Sequence, residues 1–236
     1  MSSWTTFNRD LLEQMPLILS GLQDTILLAV SISISGMLLG ILVFYLTLSQ
    51  YRWVRYATNA YISFFIGMPL IVLLFLMYYG LPQWDLRLTP FTVAFIGFTL
   101  NVAAYNAAYL TTAINGLNKT EIEAGRAQGF SHLQVFRFLI LPQCLRLSIP
   151  ALTNQVINNL KDTSVAFLIQ YTEFFARVQE LASTNFQFFK AYIFAALVYL
   201  VFVSIIVIAA RWLERRVVLP GIGLSTPVAL ERRSGL

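Results

Sequence analysis

The sequence predicts an all-α membrane protein with about five transmembrane helices, its amino terminus outside, its carboxyl terminus inside, and a cytoplasmic helical element between spans 3 and 4. Three observations carry that reading. Of 236 residues, 58% are hydrophobic and only 11% charged, with mean hydropathy +0.70. An average soluble domain carries roughly 25% charge, so a water-soluble globule of this composition would leave most of its surface apolar. The apolar residues also fall in runs long enough to span a bilayer, for which about 20 are needed. Residues 25–51, 56–84, 88–118 and 191–210 contain no Asp, Glu, Lys or Arg, and 147–172 is interrupted only by Lys161 and Asp162. Finally, eleven of the sixteen Lys and Arg residues fall on one side of a five-span arrangement. The positive-inside rule makes that side cytoplasmic.

The bulk numbers exclude other classes. A single Cys144 forms no internal disulfide, and one Cys with one His (His132) builds no structural zinc site. The net charge of +5 and pI near 9.5 are compatible with a nucleic-acid surface. However, the basic residues are dispersed over several loops, without the continuous patch and adjacent readers that such a surface needs. No nucleic-acid partner is expected.

Taken in order, residues 1–20 form an expected periplasmic segment, polar and mixed in charge, with Arg9 near Asp10 and Glu13. It lacks the basic start and short apolar core of a cleavable signal, so the first long run stays as a helix. In span 1, Gly36 and Gly40 lie at GxxxG spacing and read as a close helix contact. In span 2, Gly67-Met68-Pro69 predicts a kink, because proline removes a backbone donor in mid-helix.

The segment 117–142 is the most informative. Thr120-Glu121-Ile122-Glu123 and Ser131-His132-Leu133-Gln134 both read as capping boxes, with Gly129 where a left-handed helix stop would fall. The expectation is a short small-surfaced helix carrying Ala124, Gly125 and Ala127, a glycine turn, and a second helix stopping near Pro142. Leu133, Phe136, Leu139 and Ile140 lie along that second helix at helical spacing. A small-faced helix beside an apolar one suits a peg gripped by another protein. A well-capped surface loop is the plain alternative, and a DNA-reading helix pair is disfavoured by Glu121 and Glu123.

Span 4 is rich in polar side chains. Asn154, Asn158 and Lys161 share one face; Gln155, Asn159 and Asp162 share the next; in span 3, Asn101 and Tyr105 share a face. Polar groups in hydrocarbon are functional candidates by default. Asn101, Tyr105, Asn154, Asn158, Lys161 and Asp162 are therefore expected at a translocation path or its gate. The alternative is amide bonding between helices with Lys161 snorkelling to the interface. Span 5 ends in Arg211-Trp212-Leu213-Glu214-Arg215-Arg216, an interfacial border, and 217–236 is expected to be a mobile cytoplasmic tail.

Glu121-Ile122-Glu123-Ala124-Gly125-Arg126-Ala127-Gln128-Gly129 is followed by Leu141-Pro142-Gln143, by Ile149-Pro150-Ala151-Leu152-Thr153-Asn154 and by Leu160-Lys161-Asp162-Thr163-Ser164. This succession resembles the membrane subunit of bacterial binding-protein-dependent ABC importers, in the version of the polar amino-acid uptake subfamily. The likeness covers residues 21–216 as one transmembrane domain. It implies that the peg is a coupling helix, with Glu121, Glu123, Ala124, Gly125, Ala127, Gly129 and Phe130 engaging a cytoplasmic ATPase.

Further implications are two ATPase copies, a second permease subunit, different or identical, and a periplasmic or lipid-anchored solute-binding protein. The place would be the bacterial inner membrane, multi-pass among its lipids, and the cargo a polar amino acid or related small solute. No phosphate-loop motif G-x-x-x-x-G-K-[ST] occurs, so the chain is expected to be a transport subunit and no enzyme. It would hold no cofactor, with ATP and Mg bound by the partner.

Five positions depart from the family pattern. Ile66 stands where an Arg is usual before Gly67, Ala108 and Thr111 where a Glu and an Arg are usual, Thr120 for a Gly, and Gly125 for an Ala. The lost charges suggest pairing with a different subunit that keeps them. An ion-coupled carrier or channel without an ATPase is the alternative class, for which Asp162 is the one obvious intramembrane acid.

Overall fold

The computed structural model describes residues 4–217, with side chains to 212. The expected tail, 217–236, lies outside the described residues except for Val217. Helix α1 (Trp4–Thr47) is continuous, so helix begins well before the apolar run at residue 25. At 1.5 Å per residue its 44 residues extend roughly 66 Å, about twice a ~30 Å hydrocarbon core. There follow α2 (Arg52–Gly67), α3 (Leu70–Phe75), a π-helical turn (Leu76–Gly80) and a 3-10 turn (Leu81–Trp84). Next come α4 (Pro90–Ala113), α5 (Lys119–Ala127), α6 (His132–Val135), a second π turn (Phe136–Ile140) and α7 (Leu141–Asp162). A 3-10 stretch (Thr163–Ile169), α8 (Phe174–Asn185) and α9 (Phe188–Val217) complete the chain.

Four segments are long and apolar enough to cross a membrane: Trp4–Thr47, Pro90–Gly116, His132–Ile169 and Phe188–Trp212. The fifth expected span is a pair, Arg52–Gly67 with Leu70–Trp84, bent by 98°. The kink predicted at Gly67-Met68-Pro69 is thus a full break between two half-helices. The second half reaches the 3-10 stretch that follows α7, where the Tyr78 and Tyr79 hydroxyls donate to Gln170 Oε1 and the Leu168 carbonyl, each at 3.2 Å.

α1 packs most extensively against α4. A Cβ on Gly36 would lie 2.5 Å from Val102 Cγ1, and one on Gly40 2.8 Å from Asn106 Cβ. The GxxxG pair therefore sets how closely these helices approach. Three apolar clusters stack along the bundle. One joins Phe44, Leu110, Val135, Phe136 and Cys144 at the α5–α6 end. A middle one joins Leu28, Ile32, Leu74, Phe98 and Ile169. The third joins Phe7, Phe174, Val178 and Leu181 at the opposite end. Leu197, Leu200, Val201, Ile205 and Ile208 stand exposed along α9, as they would toward lipid or a partner helix.

The second helix of the 117–142 segment does not stop near Pro142. Its helical backbone passes through the Phe136–Ile140 π turn directly into α7. Pro142 sits in the first turn of α7, a position that tolerates the missing N–H. The wider π turn just ahead absorbs the change of register.

Candidate functional site

The break at Gly67-Met68-Pro69 organises the centre of the fold. Pro69 has no N–H, so the carbonyl four residues back, that of Phe65, loses its helical donor. Asn101 Nδ2 on α4 donates to that carbonyl at 2.8 Å, and the Tyr61 hydroxyl donates to the Leu100 carbonyl at 2.7 Å. With no water in hydrocarbon to take the place of a lost partner, such a substitute stabilises the break and fastens it to α4.

Against this break lies a cavity of about 390 Å³. Its walls are residues 66–70 of the broken span; Asn101, Tyr105 and Tyr109 of α4; and Gln155, Asn158 and Asp162 of α7. The α4 set recurs every four residues and the α7 set at i, i+3 and i+7, so each helix turns one stripe inward. The volume falls in the range of small-molecule sites, and Asp162 is the one charged residue on its wall.

Four of the six residues singled out in spans 3 and 4 therefore meet: Asn101, Tyr105, Asn158 and Asp162. Asn154 and Lys161 do not. Asn154 is exposed on α7 and lines no cavity described here. Lys161, rotated one residue from Asp162, lines a separate cavity of about 440 Å³ with Ser164, Phe175, Tyr192 and Tyr199.

The neighbouring amide stripe is divided. Gln155 Nε2 donates to Asn159 Oδ1 at 2.9 Å, and Asn159 Nδ2 donates to Ser33 Oγ at 2.9 Å. Asn159 thus ties α7 to α1, whereas Gln155 also reaches the cavity and accepts from the Tyr109 hydroxyl at 3.4 Å. Tyr109 escapes the sequence reading, although it lies four residues after Tyr105, whereas Gln155 stands on the stripe that the sequence already places beside Asn158. Ile66, at the place of the family's usual Arg, is on the wall; Ala108 and Thr111 are not among the lining residues.

At the opposite end of α7 lies the helical peg. Helix α5 is capped by Asn118, whose Oδ1 accepts from the Thr120 amide at 3.0 Å, so the capping box expected at Thr120 is absent. Asn118 wins because it sits at the true N-cap, with Thr120 already inside the first turn. The Ser131 box is present in both directions. Between them Gly129 adopts φ +85°. The Phe130 amide donates to the Gly125 carbonyl at 3.1 Å and the Gly129 amide to Arg126 at 3.0 Å, the paired bonds of a Schellman stop.

Gly125 is buried, and a Cβ there would lie 2.6 Å from Leu139 Cδ1. Gln143 Nε2 donates to Glu121 Oε2 at 3.0 Å, joining α5 to the base of α7. Phe136 packs against Phe44 and Tyr45, with ring centroids 5.6 and 4.8 Å apart. Glu123, Ala124, Ala127 and Phe130 are left exposed. The peg is thus braced on its inner side and open on its outer one.

Comparison with known proteins places these features in a family. Residues 36–219 match the family described as binding-protein-dependent transport system inner membrane component. A probable amino-acid ABC transporter permease protein of Vibrio harveyi, PatM, is 35% identical over 209 residues, covering 87% of this chain and 94% of that protein. The L-cystine transport system permease protein TcyB of Bacillus subtilis is 35% identical over 210 residues, covering 88% and 90%. Among solved structures, a chain of an amino acid ABC transporter crystallised with histidines superposes with TM-score 0.81 at 26% identity, covering 92% of this chain and 99% of that one.

Proposed function

The chain belongs to the family of binding-protein-dependent transport system inner membrane components, and we propose that it is the permease subunit of an amino-acid ABC importer, forming half of the solute path. One observation carries the reading. A single helix, α7, bears Gln143 bonded to the peg at its first turn and Asp162 on the cavity wall at its last. The two lie roughly 29 Å apart along a 1.5 Å rise per residue. Movement at the peg therefore reaches the cavity through one continuous helix.

On this reading the α5–α6 end is cytoplasmic, the amino terminus is outside and the carboxyl terminus inside, an orientation that the Lys and Arg distribution supports. The chain sits as a multi-pass protein in a bacterial inner membrane. The outward face of α5, with Glu123, Ala124, Ala127 and Phe130, enters a groove on a cytoplasmic ABC ATPase. ATP and Mg are bound and hydrolysed by two copies of that partner. ATP favours the closed ATPase pair, and only such differential affinity can bias the permease toward its outward-open state. A solute-binding protein delivers cargo on the other side.

The cavity favours a small solute bearing an ammonium group. Asp162 supplies charge, the Asn101, Gln155 and Asn158 amides supply donors and acceptors, and Tyr105 and Tyr109 supply aromatic faces. Polar amino acids meet that description. The second half of the path comes from another permease subunit, and Ile66 on the wall in place of an Arg favours a different chain. Purification from native membranes through a tag on this chain tests the assembly. We expect an ATPase, a second permease and, with cargo present, a binding protein. Recovery of this chain alone with full transport activity would contradict the mixed pair.

A further inference from the structure

Glu173 is fully buried, with no exposed surface, and no step of the transport scheme uses it. It caps α8 at the end of the bundle opposite the peg. Its Oε2 accepts from the Phe175 amide at 2.9 Å and its Oε1 from the Ala176 amide at 2.8 Å. The Thr25 hydroxyl of α1 accepts from the Phe174 amide at 3.0 Å and donates to Glu173 Oε2 at 3.1 Å. The first three amides of α8 are thereby satisfied by two side chains, one of which belongs to a helix almost 150 residues earlier. Gly21 lets α1 come this close, since a Cβ there would lie 3.0 Å from the Glu173 carbonyl and 2.7 Å from Arg177 Cγ.

From α9, the Tyr199 hydroxyl lies beside both the Glu173 carboxyl and the Thr163 hydroxyl. It is buried without a well-aligned hydrogen bond to either. Thr163 follows the cavity's Asp162 directly in the chain. Three elements, α1, α8 and α9, thus meet at one carboxyl group, and Tyr199 links them to Thr163, the first residue of the 3-10 stretch after α7.

We propose that Glu173 is a proton-titrated latch, a positioning residue that holds α8 and the start of the 3-10 stretch after α7 against α1 and α9 and loosens that hold as it ionises. The geometry provides for both forms. As a carboxylate it accepts from three donors already in place at the positive end of a helix. As a carboxylic acid it needs one acceptor, and the Tyr199 hydroxyl oxygen is the polar atom left for it. Burial pushes the carboxyl from 4.5 up to about 7, against the opposing hydrogen bonds from Phe175, Ala176, Thr25 and Tyr199.

Other charges do not take over this role. On α1, Asp24 lends its backbone carbonyl to the Tyr171 hydroxyl at 3.3 Å. On α8, the Arg177 guanidinium is paired with Glu180 at 2.9 Å. On α7, Lys161 lines the cavity of about 440 Å³ and has no ion pair with Glu173. With its pKa raised in the closed latch, Glu173 binds more protons closed than open. Closure is therefore strongest in acid, and it weakens as pH climbs from about 4.5 to about 7.

Hydrogen exchange on the purified full chain in lipid nanodiscs tests this without any transport partner. With the open-state carboxyl titrating near 4.5, protection factors of the Phe175 and Ala176 amides should fall about twenty-fold between roughly pH 5.5 and 7.5, then level off. Thr25→Val removes a donor to the carboxylate and should move the midpoint upward; Glu173→Gln should flatten the dependence. If Glu173→Gln fails to fold, the isotope-edited infrared band of the wild-type carboxylic acid reports the same midpoint near 7. Protection that is level across this range, or a Glu173 midpoint below about 5, would overturn the latch.

Discussion

Asn101 Nδ2 lies 2.8 Å from the Phe65 carbonyl, the acceptor that Pro69 leaves without a backbone donor. One side chain on α4 thus repairs the break in the neighbouring span and also lines the cavity that the break creates. Its two roles separate by substitution. Asn101→Leu should lower unfolding stability in mixed micelles by about 1 kcal/mol, the cost of leaving a part-buried carbonyl without its donor. Asn101→Gln, which keeps the donor on a longer arm, should recover part of it.

Asn158 provides the contrast. It lines the same cavity, is exposed, and makes no side-chain hydrogen bond among the described residues. Asn158→Leu should abolish uptake while leaving stability and assembly within about 0.5 kcal/mol of wild type. Uptake at the wild-type rate would remove Asn158 from the path.

Asp162 and Lys161 are adjacent in sequence but line different cavities. Asp162→Asn should weaken apparent affinity for an ammonium-bearing solute by at least about tenfold, the scale of one lost charged hydrogen bond. Lys161→Gln should leave that affinity within about threefold. Equal losses from both would mean that the two side chains face one path.

At the peg, Gly129 holds φ +85°. A β-branched residue is strained there by roughly 1–2 kcal/mol and would misdirect the chain into Ser131. Gly129→Val should leave ATP hydrolysis by the assembled complex running while uptake falls at least about tenfold. Gln143→Leu, which removes the link to Glu121 without touching the outer face, should lower the ratio of solute carried to ATP split in the same direction. An unchanged ratio in both variants would count against the peg as a coupling element.

What the sequence made legible was mainly local. The Ser131 capping box, the Gly129 stop and the GxxxG contact depend on residues a few positions apart, and each is present. The Thr120 box was misjudged because Asn118, two residues earlier, competes for the same first turn. Pro142 read as a stop because nothing in the residue pattern announces the π turn that carries the backbone past it. The proline break in span 2 was legible but its 98° angle was not, so the cavity wall at 66–70 could not be foreseen. Asn154 and Lys161 were grouped with Asn158 by helical spacing, which assigns a shared face and leaves open which neighbour that face meets. Glu173 was invisible for a different reason, since its partner Thr25 lies 148 residues away.

The central claim is that movement of a peg gripped by an ATPase drives amino-acid uptake through this chain. The most direct measurement is uptake of radiolabelled amino acids by proteoliposomes holding the complex purified through this subunit, with its binding protein added outside. Uptake that requires ATP inside, persists when ion gradients are collapsed, and is lost in Gly129→Val is the predicted result. Uptake driven by a sodium or proton gradient without ATP would contradict it.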